Sequence, residues 1–158
     1  MVYPYFAAYV YWLENVKIGK VGGDFYEEFN KFYPQETYGW ELNPGHLTAD
    51  EEWMSSPFYK GSDRKVQSGM IFQVDFIPSQ KGHQGVSAES TVALADEKLR
   101  LEIKENHPEM WARIEKRRAY MKENLNIDLD PSLLPLASTL GYLRPFMLDK
   151  ETALVVEG

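Results

Sequence analysis

A chain of 158 residues with 44% hydrophobic and 14% aromatic content buries a core of its own, which argues against disorder and fits one domain over residues 1–158. Its formal charge of −7 leaves no broad basic face for a phosphate backbone, so nucleic acid is not an expected partner. With no cysteine there is no disulfide, thiolate metal site or cysteine nucleophile, and the composition fits the cytoplasm.

Residues 2–13 are apolar and aromatic, without the basic start and small-residue cleavage site of a signal peptide, and too short to span a bilayer. Phe6, Tyr9, Val10 and Leu13 fall on one helical face, which predicts a packed amphipathic helix, with an interfacial membrane helix as the alternative. The glycines between Gly19 and Gly23 break the chain without the Gly-Lys-Ser/Thr ending of a phosphate loop. Asp24 is then expected to cap a second helix carrying Phe25, Phe29 and Phe32, closed by Pro34. Residues 41–48 read as a turn or irregular strand, and 53–65 as a loop able to rim a pocket.

Two strand-like runs follow, over 70–77 and 85–94. In the first, Met70, Phe72, Val74 and Phe76 point one way and Ile71, Gln73 and Asp75 the other. In the second, Ala88, Ser90, Val92 and Leu94 share one face and Ser87, Glu89, Thr91 and Ala93 the opposite one. A hairpin symmetric about Gly82 sets Asp75 opposite Glu89, and a slip of one residue destroys the pairing. Two carboxylates facing each other on a sheet repel, so unless solvent screens them the pair calls for a shared proton, a basic partner or a cation. His46 upstream completes a donor set for a hard or borderline metal ion.

Beyond Asp96 the pattern turns helical, to about Asn106 and again from Pro108 to about Asn124, where Met110, Ile114, Met121 and Leu125 form an apolar stripe. The charges between them, such as Glu115 and Arg118, read as a solvated face. Pro131 suggests a short helix after Asp130, and 152–156 a last strand. His83 in the hairpin loop and His107 at a helix start have no evident chemistry, and Ser55, Ser56 and Ser68 lack the partners of a triad. The fold class expected is α+β, a curved antiparallel sheet backed by helices with a helical C-terminal extension.

The run Asn43-Pro44-Gly45-His46, the strand Ser68-Gly69-Met70 leading to Asp75, and Gly85-Val86-Ser87-Ala88-Glu89 together resemble the C-terminal half of the pita-bread metallopeptidases. This is the M24 family of creatinase, prolidase and Xaa-Pro aminopeptidase. The resemblance covers residues 3–94, and the stretch from Ala95 is similar to an extension of some bacterial members. It implies that His46, Asp75 and Glu89 are three of the five ligands of a dinuclear centre that activates water and polarises a scissile carbonyl. Asp75 stands where glutamate is usual, Trp53 about where a second histidine helps to polarise the substrate, and Ser87 or Ala88 and Ser90 where an arginine and an aspartate flank the last ligand.

The family's two aspartate ligands belong to the preceding half of its fold, and neither Asp24 nor Asp50 takes their place. The resemblance therefore implies a C-terminal portion of an Xaa-Pro aminopeptidase-like hydrolase, inactive alone, with a partial site for one divalent ion (Mn, Zn, Co or Fe). Its partners are an N-terminal half or a second copy as a homodimer, and its substrate once reconstituted is a short peptide; no membrane is implied. A noncatalytic binding or assembly module is the alternative from another class.

Overall fold

The computed structural model describes residues 1–146 and 148–157, with Glu52 described in its backbone alone. Helix α1, Val2–Asn15, forms as its apolar spacing predicts, and Phe6, Tyr9, Val10 and Leu13 are all buried. Helix α2, Gly22–Phe32, buries Phe25 and Phe29, while Phe32 stays half exposed and stacks on Tyr11. Asp24 does not cap it but lies in its first turn. The freed helix-end N–H groups of Gly22 and Gly23 instead donate to the carbonyls of Arg64 and Ser62, so a loop distant in sequence caps the helix. A short helix α3, Gln35–Tyr38, ends at Gly39, whose φ of 66° is left-handed and whose added Cβ would meet the Ser79 carbonyl oxygen at 2.1 Å.

Four strands, β1 (His46–Leu47), β2 (Ile71–Val74), β3 (Ser90–Leu94) and β4 (Leu133–Pro135), form one antiparallel sheet in that order. The hairpin register pairs Phe72 with Val92 and Val74 with Ser90, the alignment symmetric about Gly82. Both strands are shorter than the apolar runs suggest. Continuing that register would set Ala88 against Phe76, but the Tyr5 hydroxyl takes both backbone groups of Ala88.

Helices α4 (Glu97–Asn106) and α5 (Pro108–Leu125) follow, the first capped by Asp96, whose side chain accepts the Leu99 N–H at 2.8 Å, and the second opened by Pro108. The helix expected after Asp130 is a strand instead. Asp130 accepts both the N–H and the hydroxyl of Ser132 in a local turn, and Leu133 and Leu134 then bury on opposite sides of the sheet. The expected last strand, 152–156, is not one either. Its Leu154 and Val156 N–H groups donate to the carbonyls of Leu143 and Leu125 without forming a ladder. Arg118 also departs from a solvated face: its half-buried guanidinium donates to the carbonyls of Leu129, Asp130 and Leu133, tying the entry of β4 to α5.

The main core lies between α1, α2 and the sheet face bearing Phe72, Val74, Phe76, Val92 and Leu94. A smaller cluster under α4 and α5 joins Ala95, Ile114 and Leu134 on the other side, with Ala93 and Leu136 packed against it. No helix among the described residues is long and apolar enough to cross a membrane.

Candidate metal centre

His46 enters β1 from a turn that only glycine can make. Gly45 has φ 106°, and an added Cβ would lie 3.1 Å from both the Gln73 carbonyl oxygen and the Trp12 indole nitrogen. His46 pairs with Gln73, so its side chain shares a sheet face with Gln73 and, one step along β2, with Asp75. Glu89 reaches the same place from the other side, because the ladder that ends at Val74 and Ser90 sets the next residues, Asp75 and Glu89, opposite each other. Register from three strands thus gathers residues more than 40 positions apart in sequence onto one patch.

One donor atom from each of His46, Asp75 and Glu89 lies within 4.8 Å of the other two, and together they form a group able to hold a metal ion. His46 is 2% exposed, Asp75 half-buried and Glu89 exposed. The His46 Nδ1 lies 3.1 Å from the Leu47 carbonyl oxygen, which can only accept, so Nδ1 carries a proton. That leaves Nε2 facing Asp75 Oδ2 at 3.6 Å, beyond hydrogen-bond range. Nε2 and Asp75 Oδ1 are both buried without a hydrogen-bond partner. Each such atom costs about 1–3 kcal/mol unless something occupies the space between them.

The donor set fits a divalent ion. An imidazole whose other nitrogen donates to a backbone carbonyl is the usual arrangement of a ligating histidine, because the bond fixes tautomer and ring orientation. Two donors on one ion with bonds of about 2.1 Å stand at most about 4.2 Å apart, and donor atoms within 4.8 Å of one another come close to that limit. A cation also turns the Asp75–Glu89 repulsion into attraction.

The structure does not bring the other sequence candidates here. Asp24 and Asp50 are exposed and outside the group, as are His83 and His107. Ser56 has a structural task, donating to the Gly45 carbonyl at 2.7 Å and accepting the Phe58 N–H. Trp53 lines a cleft of about 340 Å³ whose wall includes His46, Asp75, Leu42, Asn43 and Ile77. The cleft does not reach Glu89, the most exposed of the three donors.

No family model matches this chain, and no curated protein does. The site therefore rests on its own geometry. Leu42, Trp53 and Ile77 are 61%, 63% and 56% exposed, an apolar rim around a polar wall. Asn43 braces that rim by donating to the Trp53 carbonyl at 2.9 Å. Leu42 adds a non-glycine φ of 63°, a conformation that costs about 1–2 kcal/mol and that the surrounding loop imposes. Of the loop at 53–65 expected to rim a pocket, the lining of this cleft includes Trp53 and no other residue, and the conformation of Leu42 leaves no signature in residue type.

Proposed function

We propose that the chain is the C-terminal portion of an Xaa-Pro aminopeptidase-like metallopeptidase of the M24 type, with His46, Asp75 and Glu89 holding one divalent ion. The observation that supports this is the convergence of two buried unpartnered atoms, His46 Nε2 and Asp75 Oδ1, with the Glu89 carboxylate. His46 serves as a neutral nitrogen donor, its ring held by the Leu47 carbonyl. Asp75 and Glu89 supply negative charge, and one imidazole with two carboxylates suits Mn, Zn, Co or Fe. When bound, such an ion supplies Lewis acidity towards a carbonyl oxygen and lowers the pKa of water.

The apolar rim of Leu42, Trp53 and Ile77 then takes the uncharged part of a short peptide and keeps water from its carbonyl. Trp53 places an indole where the family resemblance expects an imidazole, so it packs against substrate and moves no proton. Coordination positions beyond the three protein donors are left for water, substrate, or ligands of an N-terminal half or a second copy. A noncatalytic binding or assembly module is the second reading. It is favoured by the finding that, among the described residues, no fourth His, Asp or Glu joins the group.

The test is elemental analysis of chelator-treated chain reloaded with Mn²⁺, Co²⁺ or Zn²⁺, alongside an assay on Xaa-Pro peptides. The expected result is about one ion per chain, lost in the Asp75→Asn/Glu89→Gln variant, and no hydrolysis by the chain alone. An unchanged ion count in that variant, or no ion in the wild type, overturns the site. Hydrolysis by the isolated chain overturns its reading as an incomplete half.

A further inference from the structure

The metal-ligand set lies on one face of the sheet, yet two of its members are held from the other. The Tyr5 hydroxyl of α1 accepts the Ala88 N–H at 2.8 Å and lies 3.2 Å from the Ala88 carbonyl oxygen, to which it donates. It occupies the position in which β2 would otherwise pair, just past the end of the ladder, and Ala88 immediately precedes Glu89. Seven residues along the same helix, the Trp12 indole N–H donates to the Pro44 carbonyl at 2.5 Å, and Pro44 lies two residues before His46.

Seven residues of α-helix rise about 10.5 Å. The outer two of three adjacent strands, as β1 and β3 are about β2, lie about 9.6 Å apart. The Tyr5-to-Trp12 spacing therefore matches the distance from the approach to β3 to the approach to β1. Between them, Phe76, the neighbour of Asp75, packs against Tyr5 with ring centroids 5.0 Å apart.

From this geometry we infer that α1 is a spacer that sets the separation of His46 and Glu89, with Tyr5 and Trp12 as positioning residues for the ion site. The inference rests on the metal reading above and goes beyond it, because neither side chain touches the ion. Each acts through the backbone next to a ligand. A hydroxyl holding both backbone groups of one residue resists two displacements of Glu89, towards and away from Asp75. The Trp12 bond, with Ser56 on the Gly45 carbonyl, does the same for the turn that aims His46.

The test compares Tyr5→Phe and Trp12→Phe with Tyr33→Phe, which removes another buried hydroxyl, one without a hydrogen-bond partner. Mn²⁺ affinity by titration is read beside thermal unfolding and hydrogen exchange over residues 89–91 of the metal-free chain. The expected result for Tyr5→Phe is Mn²⁺ binding weakened about 10- to 100-fold with faster exchange at 89–91, and neither change in Tyr33→Phe. Trp12→Phe weakens Mn²⁺ to a similar extent. Affinities within twofold of wild type in both variants overturn the inference. If the wild type binds none of Mn²⁺, Co²⁺ and Zn²⁺, the metal reading has failed by itself, and exchange decides the spacer: faster exchange in Tyr5→Phe supports it, and rates equal to those of Tyr33→Phe overturn it.

Discussion

The two faces of one sheet differ more than any two elements of this molecule. The face towards α1 and α2 is close to an aromatic crystal: Phe72 packs against Trp12 and Phe58, Phe76 against Tyr5, Phe29 and Tyr33, and most side chains there are inaccessible. Its indole N–H groups are satisfied, Trp12 by Pro44 and Trp40 by Tyr33, while the Tyr9 and Tyr33 hydroxyls are buried without a partner. The opposite face is divided. Ala93, Leu134 and Leu136 are covered by α4 and α5, while Gln73, Asp75, Glu89 and His46 lie outside that cluster and leave His46 Nε2 and Asp75 Oδ1 buried without partners. Strands of period two hand alternate residues to opposite faces, so the same two short strands, β2 of four residues and β3 of five, with the residues that extend them, supply stability on one side and a binding site on the other. The rigid side makes the charged side tolerable: donors that repel one another stay together because their sequence neighbours are locked into the core.

The sharpest way to break this contrast is to remove the rigid face. Phe72→Ala is expected to cost about 3–5 kcal/mol of unfolding free energy, read as a lowered urea midpoint, because a fully buried ring leaves a cavity among aromatics that cannot collapse. The opposite substitution in kind, Asp75→Asn, is expected to cost the metal-free chain little, since it also removes a like charge facing Glu89. Its effect appears with ligand. Mn²⁺ at 100 times its dissociation constant adds about 2.7 kcal/mol to the wild type, roughly 5–10 °C in melting temperature for a chain of this size. Asp75→Asn loses that gain.

Titration distinguishes the faces as well. Burial raises the Tyr5 hydroxyl from its ordinary 10.0 to about 12, and burial likewise raises Tyr9 and Tyr33. An unfolded chain ionises these groups first, so their contribution is complete below pH 10 and is lost as pH climbs towards 12. Unfolding by base is therefore expected in that window, and Tyr9→Phe shifts its onset upward in a pH-jump denaturation series. The smallest effect belongs to the C-terminal helices. The Leu99 N–H, then Ser68, hold the Asp96 carboxyl below its usual range. Its contribution is present above the ordinary value of 3.8 and lost as pH falls through the lower folded value. Asp96→Asn keeps the cap and removes this acid-side slope, measurable by helical circular dichroism between neutral pH and pH 2.

The contrast between faces was legible in the residues because alternation is strict in β2 and β3, and a loop centred on Gly82 fixed which residues oppose. Counting about Gly82 is enough to set Asp75 opposite Glu89, and residue type alone adds His46 as a third donor. What escaped depended on contacts between distant segments. Asp24 looks like a cap, but carbonyls from Ser62 and Arg64 do that work. Pro131 looks like a helix start, but Asp130 spends its acceptors on Ser132, and Leu133 and Leu134 each find a buried place in β4. Arg118 looks like one charge among many until three carbonyls converge on it. Tyr5 and Trp12 lie outside the stripe of Phe6, Tyr9, Val10 and Leu13, and nothing local says that a hydroxyl and an indole will reach the backbones of Ala88 and Pro44, 83 and 32 positions away.

The most direct measurement of the central claim is an anomalous difference map from crystals of the chain soaked in Mn²⁺. The account predicts one peak within about 2.3 Å of His46 Nε2 and of a carboxylate oxygen from each of Asp75 and Glu89. A map with no peak between these residues, or with His46 Nε2 hydrogen-bonded directly to Asp75 and the ion elsewhere, would contradict it.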